Sequence, residues 1–312
     1  MSGRSIFWTD GTRLEIDVRP RTRELRAALA RYLYRPQRRR PQLPVAAPAP
    51  RADISFWFDP VCPFAWITSK WVRAVAGQRD YIVDWRFISL RLINADIDYD
   101  SYFPPGYDDG HTSGLRLLRV AARARAEHGP AVIGPLYEAF SSEIFDSAHA
   151  AQLTPQVRGS REFAEPLLAR AGLPAGLADA LDDTSWDAEL RAETDYALSL
   201  TGRDVGTPII QFQPPHGIAF FGPVISRPPA GEEAVRLWDH VIGLAAFPGF
   251  AELKRSLRER PQLSSFGVNP GQAGAEEDWQ VTDGRPADPV VKAVSPPAFD
   301  RRVPASGTEA LC

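Results

Sequence analysis

The chain has 312 residues, 44% of them hydrophobic, and a net charge of −3. That length can bury one sizeable core or two smaller ones, and so small a charge excludes a nucleic-acid surface for the body of the protein. Two cysteines, Cys62 and Cys312, exclude a disulfide framework.

The charge is unevenly spread. Residues 1–51 hold twelve arginines against four acids, whereas residues 52–260 hold twenty basic and twenty-eight acidic groups. No early segment combines a basic start, an apolar stretch and a small-residue cleavage site, so no secretory signal is expected. No window approaches ~18 consecutive apolar residues, so no membrane partner is expected either. These absences predict a cytoplasmic protein with reduced thiols.

In chain order, residues 1–50 read as a basic extension and linker. "IFWTDGTRLEIDV" predicts a hairpin about Asp10-Gly11, and "RTRELRAALARYLYR" a short basic helix. "RPQRRRPQLPVAAPAP", residues 35–50, is too rich in proline and arginine to build a core and predicts an extended linker. Met1 is the sole methionine, and a start near Val45 would remove most of this extension.

Residues 54–58 (ISFWF) predict a buried strand, and 63–77 a helix with Ile67, Trp71 and Val75 on one face. Residues 81–89 predict a second strand. Three helical stripes follow: Ile133, Leu136, Tyr137, Phe140 and Ile144; then Phe163, Leu167 and Leu168, with Pro166 expected to bend or shorten that helix; then Trp186, Leu190, Ala197 and Leu200. Residues 208–212 and 217–221 predict a hairpin across "QPPH", and two last helices are expected within 231–259. Residues 261–312, rich in Pro, Gly, Ser and Asp, predict a disordered tail.

The order is therefore β-α-β, a block of helices, then β-β-α. Neither pair of strands is stable alone, so both must share one sheet. The expectation is an α/β core formed by 51–89 and 204–260, carrying an inserted helical domain at 90–203. A cleft between the two is the expected ligand site.

Cys62 falls at the carboxyl end of the first strand, where open α/β sheets place chemistry. Pro63 suits the first helical position, and the free amides of that turn favour a thiolate. A helix N-terminus lowers a cysteine pKa from ~8.5 into a reactive range of ~3.5–7.5. A buried cysteine that merely packs is the alternative. The five histidines show no metal-ligand spacing, and neither a phosphate-binding glycine loop nor a G-x-S-x-G elbow is present.

The stretches "FWFDPVCPFAWITSKWV", "DVGTPIIQF", "AFFGPVISRPPAGEEAVRLWD" and "FPGFAELKR" span about 53–260. In this order they resemble thioredoxin-fold oxidoreductases of the DsbA-like class, and more closely the actinobacterial mycothiol-dependent nitroreductases. The resemblance implies a thioredoxin-like fold with a helical insertion and thiol chemistry centred on Cys62. It implies that Thr207-Pro208 forms a cis-proline loop facing Cys62, offering backbone hydrogen bonds to a bound thiol. Pro63, Phe64 and Trp66 would line the thiol-binding mouth, with Trp66 stacking on a flat substrate. No tightly bound cofactor is implied. The co-substrate would be a low-molecular-weight thiol such as mycothiol, and the substrate a small electrophile or disulfide. A homodimer is compatible with the resemblance, and the sequence is silent on it.

The departure from a dithiol motif is Ala65, which stands where C-x-x-C enzymes carry the resolving thiol. Cys62 is therefore expected to act as a monothiol released by an external thiol. Cys312 lies on a tail whose span of roughly 40 Å reaches the site. Its effective concentration would be no better than about millimolar, and nothing in the tail suggests docking. The alternatives are a transferase or isomerase resembling the kappa-class glutathione S-transferases, and a catalytically silent binding protein.

Overall fold

A computed structural model describes residues 6–7, 13–14, 52–103, 105–254 and 259–268. The chain divides into two compact units, 1–42 and 43–312. In the first, strands β1 (Ile6–Phe7) and β2 (Arg13–Leu14) pair antiparallel, with Ile6 opposite Leu14 and Phe7 opposite Arg13. The pairing agrees with the hairpin expected about Asp10-Gly11. The basic helix and the linker expected at 35–50 lie outside the described residues.

The second unit is built on a four-stranded sheet. Strand β3 (Ile54–Phe58) is buried on both faces, as its unbroken run of apolar and small residues requires. It runs parallel to β4 (Val83–Phe87), and α1 (Pro63–Arg79) makes the crossover between them. On its other side β3 pairs antiparallel with β5 (Ile209–Phe212), which pairs antiparallel with β6 (Ala219–Phe221). The sheet order is thus β4-β3-β5-β6, uniting strands from both ends of the body. This is a thioredoxin-like core.

Between β4 and β5 the chain forms the insertion. Its helices are α2 (Leu90–Ile93), α3 (Tyr99–Tyr102), α4 (Tyr107–His128), α5 (Ile133–Asp146), α6 (Pro155–Arg158), α7 (Arg161–Arg170) and α8 (Asp187–Thr201). Pro166 lies inside α7, which nonetheless continues to Arg170 with Phe163, Ala164, Leu167 and Leu168 buried. Between α7 and α8, residues Ala175–Asp182 wind as a 3₁₀ helix whose Leu177 and Leu181 enter the core.

The insertion is fastened to the sheet by polar groups as well as apolar ones. Glu193 of α8, only 1% exposed, accepts from the Phe87 amide at 3.0 Å and pairs with Arg125 of α4 at 2.6 Å. Thr194 Oγ1 accepts from the Ser89 amide at 3.1 Å. Breaking such a buried pair by removing one partner leaves an uncompensated charge, so this join holds only with both partners present.

Two expectations are corrected at the C-terminal end. After β6, α9 (Glu232–Ala245) is followed by extended or turn-forming residues through 254, with no second helix among the described residues. Phe247-Pro248-Gly249 ends the helical run, since proline lacks an amide donor and disfavours helix in the residue before it. Residues 262–268, expected within a disordered tail, fold back onto the body. The Gln262 amide donates to Ser226 O at 2.8 Å, and Leu263 is 2% exposed within the main core. The composition around Leu263 is that of a loop, but a single leucine finds an apolar socket and fixes the segment.

Candidate active site

Cys62 is the N-cap of α1, with the extended backbone that a cap position takes, and Pro63 follows at N1. Its sulfur accepts from the Ala65 amide at 3.4 Å and donates to Thr207 O at 3.5 Å. The Thr207–Pro208 bond is cis, and Thr207 is itself anchored by Oγ1 donating to Trp57 O at 3.2 Å. Sequence positions 62 and 207 thus meet because β3 and β5 are neighbours in the sheet. The thiol lies between a helix amide, which favours negative charge on sulfur, and a carbonyl, which accepts the proton-bearing form. Both Cys62 and Thr207 are fully buried.

The turn that presents Cys62 is built by Asp59. One carboxylate oxygen accepts from the Val61 amide at 3.1 Å and the other from the Leu90 amide at 2.8 Å. This side chain therefore clamps the end of β3 to the start of the insertion. Burial pushes the Asp59 carboxyl up to about 7, against the lowering effect of its two amide donors. Helix α4 passes close above it. A Cβ at Gly114 would lie 2.5 Å from Asp59 Oδ1 and 2.7 Å from Val61 Cγ2, so glycine is what permits this approach.

One turn before Gly114, His111 is buried among Tyr99, Phe103 and Tyr107, with the Tyr99 hydroxyl 3.0 Å from its Nδ1. Burial, and then the Arg91 guanidinium, push His111 down to about 4, so the ring is neutral near pH 7.

Phe64 and Trp66 are 1% and 3% exposed, so they stand in the core and not at an open mouth. Trp66 is anchored to the insertion. Its Nε1 donates to Asp146 at 2.9 Å, Lys70 lies over its ring at 4.9 Å, and Tyr137 packs against it edge-on. With a cation on its ring and Asp146 at its Nε1, Trp66 joins α1 to the insertion. A depression of about 510 Å³ lies at the far end of α1, among Gln78, Arg79, Glu232, Asp239 and His240. Its position, fifteen or more residues from Cys62 along the helix, separates it from the sulfur.

Asp59 is the site residue that sequence patterning did not single out. Asp59 stands before Pro60 in the same short stretch as the cysteine, and an Asx turn was its available signal. Tyr137 sits in an apolar helical stripe and reads there as core. Among the described residues there is no cluster of metal-ligating side chains, and no helix is long and apolar enough to cross a membrane.

A thioredoxin-like sheet interrupted by a helical insertion, with a cysteine capping its first helix against a Thr-Pro carbonyl, defines the DsbA-like class of oxidoreductases. The chain belongs to the Rv2466c-like family, described as mycothiol-dependent nitroreductase Rv2466c, whose model matches residues 61–255. It is 32% identical over 203 residues to the uncharacterized protein Rv2286c of Mycobacterium tuberculosis, covering 65% of this chain and 81% of that one. It also aligns with the crystal structure of a "putative protein-disulfide isomerase" from Pseudomonas syringae at 19% identity and a TM-score of 0.37. That match covers 63% of this chain and 96% of the other and is too distant to bear on the site.

Proposed function

We propose that the protein is a monothiol oxidoreductase in which Cys62 exchanges with a low-molecular-weight thiol, mycothiol by family, to reduce a small electrophile or disulfide. The observation that carries this is the Cys62 sulfur at the N-cap of α1, bonded to the Ala65 amide and facing the cis Thr207–Pro208 loop. The Cys62 thiolate attacks a disulfide, forming one S–S bond as the other breaks, and a thiolate leaves. A second thiol then attacks the mixed disulfide and releases Cys62. Ala65 supports an external second thiol, because no resolving cysteine stands in the first turn of α1. For a nitro group, the first two-electron step would convert two thiols to a disulfide and the nitro to a nitroso group, with loss of water.

Within this reading Thr207 and Pro208 offer backbone hydrogen bonds to the incoming thiol, and Pro63 and Phe64 shape the wall beside the sulfur. No tightly bound cofactor is required. Full burial of the sulfur also suits the alternative of a silent, core-packed cysteine. The discriminating assay follows mycothiol-dependent reduction of a nitroaromatic by wild type and Cys62→Ser, with glutathione as the comparison thiol. Turnover lost in Cys62→Ser supports the reading, and equal turnover in both proteins refutes it.

A further inference from the structure

We propose that residues 259–268 form a clasp across the Cys62 end of the fold, and that its opening admits substrate to the sulfur; the inference rests on the proposed role of Cys62. The part of α1 that follows the cysteine is covered on every side. Phe64 to Ser69 are each at most 3% exposed, whereas the last turn of α1 leaves Gly77, Gln78 and Arg79 open to solvent. A helix hidden all round has neighbours on every face. One neighbour is the insertion, where Asp146 accepts from Trp66 Nε1 at 2.9 Å. Another is the loop after β6, where Pro223 O accepts from Thr68 Oγ1 at 2.9 Å. That loop leaves the sheet at the same edge as the sulfur. Trp57 is opposite Ile209, Ile209 is opposite Phe221, and the Gly222 amide donates to Pro208 O at 2.9 Å.

Residues 259–268 tie this loop to the insertion. On the loop, the Gln262 amide donates to Ser226 O at 2.8 Å, Ser226 Oγ donates to Glu259, and Arg227 pairs with Glu259 at 3.0 Å. On the insertion, the 3₁₀ turn Ser264–Phe266 packs against α5 and against Ala150–Gln152 just beyond it. Helix α5 is the one that covers the start of α1: Tyr137 meets Trp66 edge-on, Ser141 Oγ donates to Pro60 O at 3.1 Å, and Asp146 ends the helix. Leu263 is sunk into the shared core, and Phe266 packs partly buried against it. The segment thus spans from the cysteine-bearing edge of the sheet to the helix that covers α1. It lies beyond residue 255, where the family match ends, so the family match does not supply it.

The clasp is lightly held. Pro261 and Leu263 are its buried side chains, and the rest of the segment is half-buried or exposed. Its ion pair uses an Arg227 side chain that is 72% exposed, and such surface pairs add little. A segment with so few buried groups opens locally at a smaller cost than the whole fold. Closed, the protein leaves Cys62 fully buried. Opening frees the loop beside Pro208 and the end of α5, and the external thiol then reaches the sulfur in this minor open state.

The test follows alkylation of Cys62 by iodoacetamide at pH 8, read by intact mass, in the full chain carrying Cys312→Ser. Leu263→Ala and Glu259→Gln loosen the clasp. Leu181→Ala is the control, because it removes an equally buried leucine from the insertion and leaves the clasp contacts in place. Leu263→Ala should react about tenfold faster than the parent or more, Glu259→Gln about two- to fivefold faster, and Leu181→Ala at the parent rate. Glu259→Gln alters only the surface of the segment and decides the matter should Leu263→Ala fail to fold. Parent rates in both clasp variants, with Cys62 reacting in all, overturn the clasp alone. So does a Leu181→Ala rate that rises as far as that of Leu263→Ala, since global unfolding would then expose the sulfur. A Cys62 that reacts in every protein only under denaturant overturns the clasp together with the functional reading beneath it.

Discussion

Replacing His111 with glutamine should expose a pH dependence of stability that the wild type conceals. Asp59, pushed up to about 7 by burial, keeps its proton in the folded protein, while the unfolded chain releases it near the ordinary value of 3.8. From pH ~4 to ~7 the folded state therefore binds more protons at this group, and stability falls as pH rises, by ~1.4 kcal/mol per unit. His111 does the reverse. Pushed down to about 4 from 6.5, it stays neutral in the folded protein while the unfolded chain takes up a proton. Its contribution is lost as pH falls from ~6.5 to ~4, with the same slope. Across that window the two slopes oppose and largely cancel, about 3 kcal/mol against about 3 kcal/mol. Urea denaturation of the full chain at pH 4.5, 5.5 and 6.5 reads this directly. His111→Gln should lose stability as pH rises, Asp59→Asn should gain it, and wild type should change least. Two variants whose profiles run parallel to wild type would refute the assignment of either proton.

Two further predictions concern the thiol and the core. Ala65→Cys places a second thiol where the amide already meets the sulfur at 3.4 Å. It should oxidise to an intrachain disulfide with Cys62, a mass lower by two hydrogens, and shorten the life of any mixed disulfide; a variant that stays reduced under oxidant would contradict the site geometry. Leu263→Ala empties a socket in which the side chain is 2% exposed. It should cost about 2–4 kcal/mol by urea denaturation and expose 259–268 to protease, and an unchanged midpoint would remove that segment from the core.

Much of the fold was legible because its elements carry their own periodicity. ISFWF and PIIQF are short apolar runs bounded by Asp-Pro and by proline, and they became the paired strands β3 and β5. The site's frame was legible for the same reason, since Cys-Pro opens a helix and Thr-Pro precedes a strand. Positions 62 and 207 meet through sheet pairing, which fold resemblance supplied and periodicity did not.

What was illegible depends on single contacts. Leu263 lies in a run of Gln, Ser and Gly whose composition predicts a loop, and only the tertiary socket orders it. Trp66 carries an amphipathic ring, and its contacts with Asp146 and Lys70 are made only in the packed state. Tyr137 belongs to a stripe of core residues, and its stacking on Phe58 is a property of the packed state. Asp59 acquires its raised pKa only when α4, relieved by Gly114, closes over it.

The proposed function requires Cys62 to react despite its burial. Intact mass of the Cys312→Ser protein after incubation with mycothiol disulfide, set against glutathione disulfide, tests this most directly. One mycothiol adduct per chain is predicted, mapping to Cys62, absent from Cys62→Ser, and discharged by added thiol. A protein whose mass never changes at any pH would mark Cys62 as an inert core residue and contradict the account.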